Sequence, residues 1–114
     1  MASTPLTPIV SAFNLSNNWS TLYTVTAPTD RIGIDAAVFN NYSTGNAQFS
    51  VRIVQDGAAS VLNEVITDKN IRAEGSDLAP AIIGQAIKLG GTIEAKASGS
   101  DLISVTITAT TFTS

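Results

Sequence analysis

Acidic side chains are the candidate catalytic groups of this sequence, because it contains neither histidine nor cysteine. Two pairs of carboxylates lie close along the chain, Asp30 with Asp35 and Glu64 with Asp68. A pair of carboxylates can work as a general acid and a general base. Neither pair lies in a stretch that predicts a cleft, and Asp30 is followed directly by Arg31. We therefore expect surface carboxylates and no enzymatic activity.

The composition also argues against bound metals and cofactors. A chain without cysteine has no disulfides, thiolate nucleophiles, zinc fingers or iron–sulfur clusters, and without histidine it lacks the commonest metal ligand. Its acidic residues are scattered and do not form the series of a calcium loop. Gly90 and Gly91 precede a predicted strand and are not part of a phosphate-binding loop. We expect no cofactor, no metal site and no catalytic site.

The charge balance bears on the partners. Six basic and nine acidic residues give a net charge of -3, and no basic run occurs, so nucleic-acid binding is not expected. The length of 114 residues predicts a single domain. No apolar run approaches the ~18 residues of a membrane span. The N-terminus lacks the pattern of a signal peptide, which predicts synthesis in the cytoplasm and no membrane partner.

Charged residues make up only 13% of the chain, about half the usual share. Neutral, strand-forming surfaces tend to pair with other chains. We therefore expect a homo-oligomer whose surface is partly covered by other subunits. The alternative is a monomer whose many hydroxyl groups keep it in solution.

Alternating apolar and polar residues predict an all-β fold. The clearest alternation runs through residues 102–113, and a second one through residues 92–98. Turn signals recur at the spacing of a sandwich or barrel. We predict one antiparallel β-sandwich, jelly-roll or Ig-like, with about eight strands. The residues predicted to face its core in these two strands are Ile93, Ala95, Ala97, Ile103, Val105, Ile107 and Ala109.

Residues 30–54 are predicted to form a central hairpin. Its polar turn is the Asn- and Ser-rich stretch 40–46. The buried face is predicted to consist of Ile32, Ile34, Ala36 and Val38 in the first strand and Phe49, Val51 and Ile53 in the second. For residues 79–89 a short strand and loop is favoured over a helix, because Gly84 interrupts the helical spacing.

The N-terminal segment, residues 1–18, is predicted to be an arm or edge segment attached to a sandwich domain of residues 19–114. Prolines among small polar residues favour an extended arm over residues 1–8. Apolar residues follow, as an edge strand or a strand lent to a neighbour. The residues predicted to bind a partner are Pro5, Pro8, Ile9, Val10, Phe13, Trp19 and Tyr42. Trp19, Tyr23 and Tyr42 are alternatively candidates for a sugar-binding platform.

Several segments together resemble a known group of proteins. They are LYTVTAPTD from Leu22, FSVRIV from Phe49, IRAEGSDLAPAIIGQAIKLGGTIEAKAS from Ile71 and SVTITA from Ser104. This order resembles small β-sandwich proteins found among the structural genes of tailed bacteriophages. The resemblance covers about residues 22–109. The chain departs from the pattern at Thr26, where proline is common, and the pattern includes nothing for residues 1–18.

The resemblance implies a virion component made in the cytoplasm of a host bacterium. It implies a capsid decoration (cement) protein, often trimeric, that stabilises contacts between major capsid subunits. In that role residues 1–15 would reach onto a neighbouring subunit. The alternative is a tail, neck or fibre component that acts as a receptor- or carbohydrate-binding module through the loop 40–46 and the aromatic side chains.

Overall fold

The computed structural model describes residues 2–113, which form two antiparallel sheets packed face to face. The all-β sandwich is confirmed, with nine strands instead of about eight. Within these residues there is one 3-10 turn, Val61–Asn63, and Ser60 is its N-cap. The strands are β1 Ala2–Asn14, β2 Ser20–Thr24, β3 Thr29–Asn41, β4 Ala47–Val54, β5 Glu64–Ile71, β6 Ser76–Asp77, β7 Ala86–Lys88, β8 Thr92–Ala97 and β9 Ile103–Thr113.

The two sheets differ in strand order. The front sheet has the order β1-β9-β3-β6, with β7 also paired to β3, and the back sheet has the order β2-β8-β4-β5. The core lies between them. The inward faces predicted for β8 and β9 are confirmed, since the alternate residues Ile93, Ala95, Ala97, Ile103, Val105, Ile107 and Ala109 are all buried.

The predicted central hairpin is wrong, although both of its strands exist. Strand β3 pairs with β6, β7 and β9, whereas β4 pairs with β5 and β8. The loop 42–46 therefore carries the chain from the front sheet to the back sheet. Phe39 of β3 and Phe49 of β4 stack across the core, with ring centroids 4.4 Å apart. Two strands with one apolar face each satisfy the sequence pattern equally well when they face each other across a core.

The predicted inward face of β3 is only half correct. Ile32 and Ile34 are buried, but Ala36 and Val38 are exposed, and Ala37 and Phe39 are buried in their place. Opposite β9 the register shifts between Ile34 and Ala36, which makes Asp35 an extra residue in β3. A bulge of one residue exchanges the two faces of the strand beyond it.

The N-terminal residues of the described chain lie on the sandwich itself. Strand β1 pairs antiparallel with β9 from Ala2↔Thr113 to Asn14↔Ser104, with three shifts of register. Leu6 and Ala12 adopt positive φ angles of 51° and 48° at these irregularities. The bulges let Pro5 and Pro8 occupy an edge strand, where a missing N–H costs least. Met1 lies outside the described residues.

In the segment 79–89 the strand-and-loop interpretation is confirmed. A turn over residues 80–84 is followed by the short strand β7. Gly84 has a φ of 85°, and its N–H donates to the carbonyl of Ile34, so this turn lies against β3. Residues 2–113 contain no helix with the length and apolar character needed to span a bilayer.

Candidate functional site

Five of the predicted partner-binding residues lie on β1, at the edge of the front sheet. Pro5 and Pro8 are exposed. Ile9 and Phe13 are half-buried and pack against the core, and Val10 is part of the core itself. Of these five residues, only the two prolines are thus exposed to solvent. Partner binding through these residues remains a prediction.

Tyr42 follows β3 and is exposed beside the end of β1. Its hydroxyl donates to Asn14 Oδ1 at 2.7 Å, and Asn14 Nδ2 donates to Asp101 Oδ1 at 2.6 Å. These two hydrogen bonds connect the loop 42–46 to β1 and to the turn before β9. The hydrogen bonds therefore hold the tyrosine ring at one end of the sandwich. Neither of them involves Trp19 or Tyr23, the other aromatic candidates.

Trp19 lies against the outer face of the back sheet. The guanidinium carbon of Arg52 is 4.2 Å from the centroid of the indole, and Lys96 Nζ is 5.0 Å from it. Arg52 Nε also forms an ion pair with Glu94 Oε1 at 2.6 Å. Cation–π contacts of this kind hold the indole on the sheet. The seven predicted partner-binding residues thus occupy three places rather than one.

Three of the four carboxylates considered for catalysis form hydrogen bonds with different partners. Asp35 Oδ2 accepts from Thr110 Oγ1 at 2.8 Å and from the N–H of Leu6 at 3.3 Å. Glu64 accepts from Thr67 Oγ1, and Asp68 Oδ1 lies 3.4 Å from Ser50 Oγ. Across residues 2–113 no three acidic side chains converge in a way that could hold a metal ion.

An exposed apolar patch lies on the outer face of the front sheet. It consists of Ala36, Val38, Leu78 and Ile83, which surround a groove of about 230 Å³ that Asp35 also lines. Leu78 is 66% exposed. The bulge at Asp35 creates the patch by turning Ala36 and Val38 outward. The period-two pattern predicts that both residues face the core, so no local pattern indicates this patch.

A polar pocket lies on the outer face of the back sheet. Residues of the three adjacent strands β8, β4 and β5, of the turn after β8 and of the loop before β2 surround a volume of about 290 Å³. The polar residues of this pocket are Asn17, Gln48, Ser50, Asp68, Lys96 and Ser98. Lys96 also contacts Trp19, so the indole lies beside the pocket. No sequence motif marks these residues, because strand pairing and a bulge in β5 bring them together.

Comparison with known proteins concerns the fold. No protein-family model and no curated protein sequence matches the chain. Among solved structures, the chain is similar to one from the crystal structure of the T13 IBDV viral particle, described as a missing link in the evolution of icosahedral viruses. The TM-score is 0.59 at 12% identity. The match covers 98% of this chain and 31% of that one, so the present chain spans about a third of its neighbour's length.

Proposed function

We propose that this protein is a structural component of a virus particle, and specifically a decoration protein that binds the capsid of a tailed bacteriophage. The observation that carries the proposal is the fold similarity over nearly the whole chain to a protein of a virus particle. The sequence resemblance to small virion proteins of tailed phages supports the same role. In this role the protein stabilises contacts between capsid subunits and catalyses no reaction.

The apolar patch is the surface that we assign to contacts with other virion subunits. Val38, Leu78 and Ile83 are all exposed, and they are close enough to line one groove. An apolar patch beside polar strands is typical of protein interaction sites. Asp35 is the one charged residue that lines the groove, and its carboxylate already accepts two hydrogen bonds. Covering the patch therefore requires little removal of water from charged groups.

The low charge of the chain fits a protein that is surrounded by identical copies and by capsid subunits. Only 13% of its residues are charged, and the net charge is -3. Weak mutual repulsion allows copies to lie side by side on a shell. We propose a homotrimer in which each copy contributes its apolar patch to the contact with the shell.

The direct test is to locate the protein in virus particles. Particles are purified from a lysate of the bacterium that carries the gene and are labelled with antibodies raised against the recombinant protein. We expect the protein in many copies per particle, with label on the head, and a native mass of three chains by light scattering. Label confined to the tail would contradict the decoration role and support the tail or fibre alternative. Absence from particles would contradict a virion role altogether.

Leu78→Asp is expected to weaken binding to capsids that lack the protein by at least about tenfold. Burial of a leucine side chain contributes roughly 1.5–3 kcal/mol, and an aspartate would also have to lose its water. Because Leu78 is 66% exposed in the free protein, the variant should keep its thermal unfolding midpoint. Binding is measured by co-sedimentation with the capsids over a range of protein concentrations.

The matched control is Leu62→Asp. Leu62 is 91% exposed in the 3-10 turn between β4 and β5, two strands of the back sheet, and it is not part of the apolar patch. Its substitution should leave capsid binding within twofold of the unmodified protein. Equal losses for the two variants would show that the patch has no special role in binding.

A further inference from the structure

We infer that the polar pocket binds a hexopyranose ring, so that the protein has a sugar-binding site on the sheet opposite to its apolar patch. This site differs from the loop 40–46 and the tyrosines considered for sugar binding from the sequence. It also stands apart from the proposed virion role, because no residue of the pocket lines the groove of the apolar patch. Sugar binding and capsid binding can therefore succeed or fail separately.

The pocket is shaped by a bulge in β5. Val51 of β4 is opposite Ile66 and Phe49 is opposite Lys69, so that Thr67 and Asp68 together face the single residue Ser50. Asp68 adopts a φ of 47°, a conformation that side-chain-bearing residues seldom occupy. Its backbone N–H donates to Ser50 Oγ at 2.9 Å. Bulges commonly redirect a side chain beside a binding site, and this one sets a carboxylate over the sheet.

The floor and rim of the pocket are also fixed by hydrogen bonds. Ser50 lies between the core residues Phe49 and Val51 at the floor of the pocket, yet it is only 1% exposed, and its hydroxyl accepts from the N–H of Asp68. At the rim, the N–H of Gln48 donates to Ser98 Oγ at 3.0 Å, and the N–H of Ser98 donates to the carbonyl of Gln48 at 2.8 Å. Because these bonds use only the backbone of Gln48, its side-chain amide stays available to the pocket. The site is formed before any ligand arrives, which lowers the entropy lost on binding.

The lining matches the chemistry of a ring with several hydroxyl groups. Each hydroxyl both donates and accepts, and the pocket offers both partners: the Lys96 ammonium donates, the Asp68 carboxylate accepts, and the Asn17 and Gln48 amides do both. An anion would be repelled by Asp68, and a cation by Lys96. A neutral ligand with many hydroxyls meets neither penalty. Trp19 itself does not line the pocket, but its contact with Lys96 helps to hold the ammonium group that does.

The size and polarity of the pocket narrow the class of ligand further. Ligand sites in proteins range from about 300 Å³ upward and are usually mostly apolar. The present pocket has about 290 Å³ and six polar residues in its lining. Its volume, just below that range, favours a small ligand such as a single sugar ring, and its polarity disfavours an apolar molecule of similar size. A single ring held by a few hydrogen bonds should bind with a Kd of roughly 1–10 mM.

The test is a titration of the ¹⁵N-labelled protein with glucose, galactose, mannose and N-acetylglucosamine, followed by NMR. At least one sugar should shift the amide signals of Gln48, Asp68 and Ser98 in a saturable manner by about 50 mM, several times the expected Kd. Failure of all four sugars to shift these signals would overturn the inference. So would shifts confined to the loop 42–46, or tighter binding of inorganic phosphate at the same amides, which would indicate an anion site at Lys96.

Asp68→Gly separates a specific site from weak surface association. Glycine accepts the φ of 47° without strain, so the variant should fold while losing the carboxylate. Sugar affinity should fall at least tenfold. The matched control is Asp101→Gly, another exposed aspartate with a positive φ, 59°, outside the pocket. It should leave the sugar affinity within twofold. Equal affinity of the Asp68→Gly variant and the unmodified protein would refute the pocket as the binding site.

Discussion

Phe39→Ala is expected to lower the free energy of unfolding by about 3–5 kcal/mol, a large part of the 5–15 kcal/mol that a domain of this size usually has. Phe39 and Phe49 are 0% and 1% exposed, and they stack with centroids 4.4 Å apart and ring planes 20° apart. The pair joins the two sheets directly. Removing one ring loses its own burial and also leaves a cavity against the other ring.

The measurement is urea unfolding followed by circular dichroism, together with the thermal midpoint. A loss of 3–5 kcal/mol corresponds to a fall of about 10–20 °C in the midpoint for a chain of this length. Phe39→Leu keeps most of the apolar volume and should lower the free energy of unfolding by about 1.5 kcal/mol or less.

Phe112→Ala is the matched control for the loss of a phenyl ring. Phe112 is half-buried near the end of β9, and its ring contacts Arg31 at 4.3 Å from the centroid. Its removal leaves a site that solvent can fill, so the cost should be about 1 kcal/mol. Equal destabilisation by Phe39→Ala and Phe112→Ala would contradict the role of the stacked pair as the centre of the core.

The strands themselves were predictable from the sequence because most of them bury one face only. In β9, alternate residues from Ile103 to Ala109 are buried, as the period of two predicts. The same holds for Ile93, Ala95 and Ala97 in β8. The extra residues at the register shifts opposite β8 and β9 lie in their partners β1, β2 and β3. β8 and β9 themselves stay regular, so local alternation and tertiary burial agree.

The pairing of the strands was not predictable from the same pattern. A strand with one apolar face can join a neighbour in its own sheet or face a strand of the opposite sheet, and β3 and β4 do the latter. The bulge at Asp35 is equally impossible to predict from local alternation. Its carboxylate is bonded to Leu6 and Thr110, residues far away along the chain, so its position depends on contacts that no local window contains.

The two candidate surfaces depend on bulges that local alternation does not predict. The bulge at Asp35 exposes Val38, and the bulge at Asp68 forms the wall of the polar pocket. The sequence singled out aromatic and N-terminal residues because of their types. The surfaces that the fold assembles include ordinary residues such as Val38 and Ser50, whose positions depend on nearby register shifts.

Asn41→Ala is expected to lower the free energy of unfolding by about 3 kcal/mol, which is the second large effect. Asn41 is 0% exposed at the end of β3. Its Nδ2 donates to the carbonyls of Gly45, Ile71 and Arg72 at 2.9, 2.9 and 3.1 Å. Its Oδ1 accepts from the backbone N–H of Ser43 at 3.0 Å. The amide thus ties the front sheet to the loop that leaves it and to the end of β5 in the back sheet.

The expected size of the effect comes from the groups that would lose their partner. Each buried polar group left without a hydrogen bond costs about 1–3 kcal/mol, and an alanine has no atom that can replace the amide. Asn41→Asp keeps the shape but puts a carboxylate oxygen where the NH₂ group faces three carbonyl oxygens. It should therefore be at least as destabilising as alanine at neutral pH.

Asn40→Ala is the control, since Asn40 is the adjacent residue of the same type and its Oδ1 accepts from Ser76 Oγ in an exposed hydrogen bond. It should cost under about 1 kcal/mol by urea unfolding. Hydrogen exchange adds a local measurement: in the Asn41→Ala protein the amide of Ser43 should lose its protection before the strands do. If both variants kept full stability and protection, the crossing between the sheets would not depend on this amide. The loop 42–46 would then be held by its backbone contacts and by Tyr42 alone.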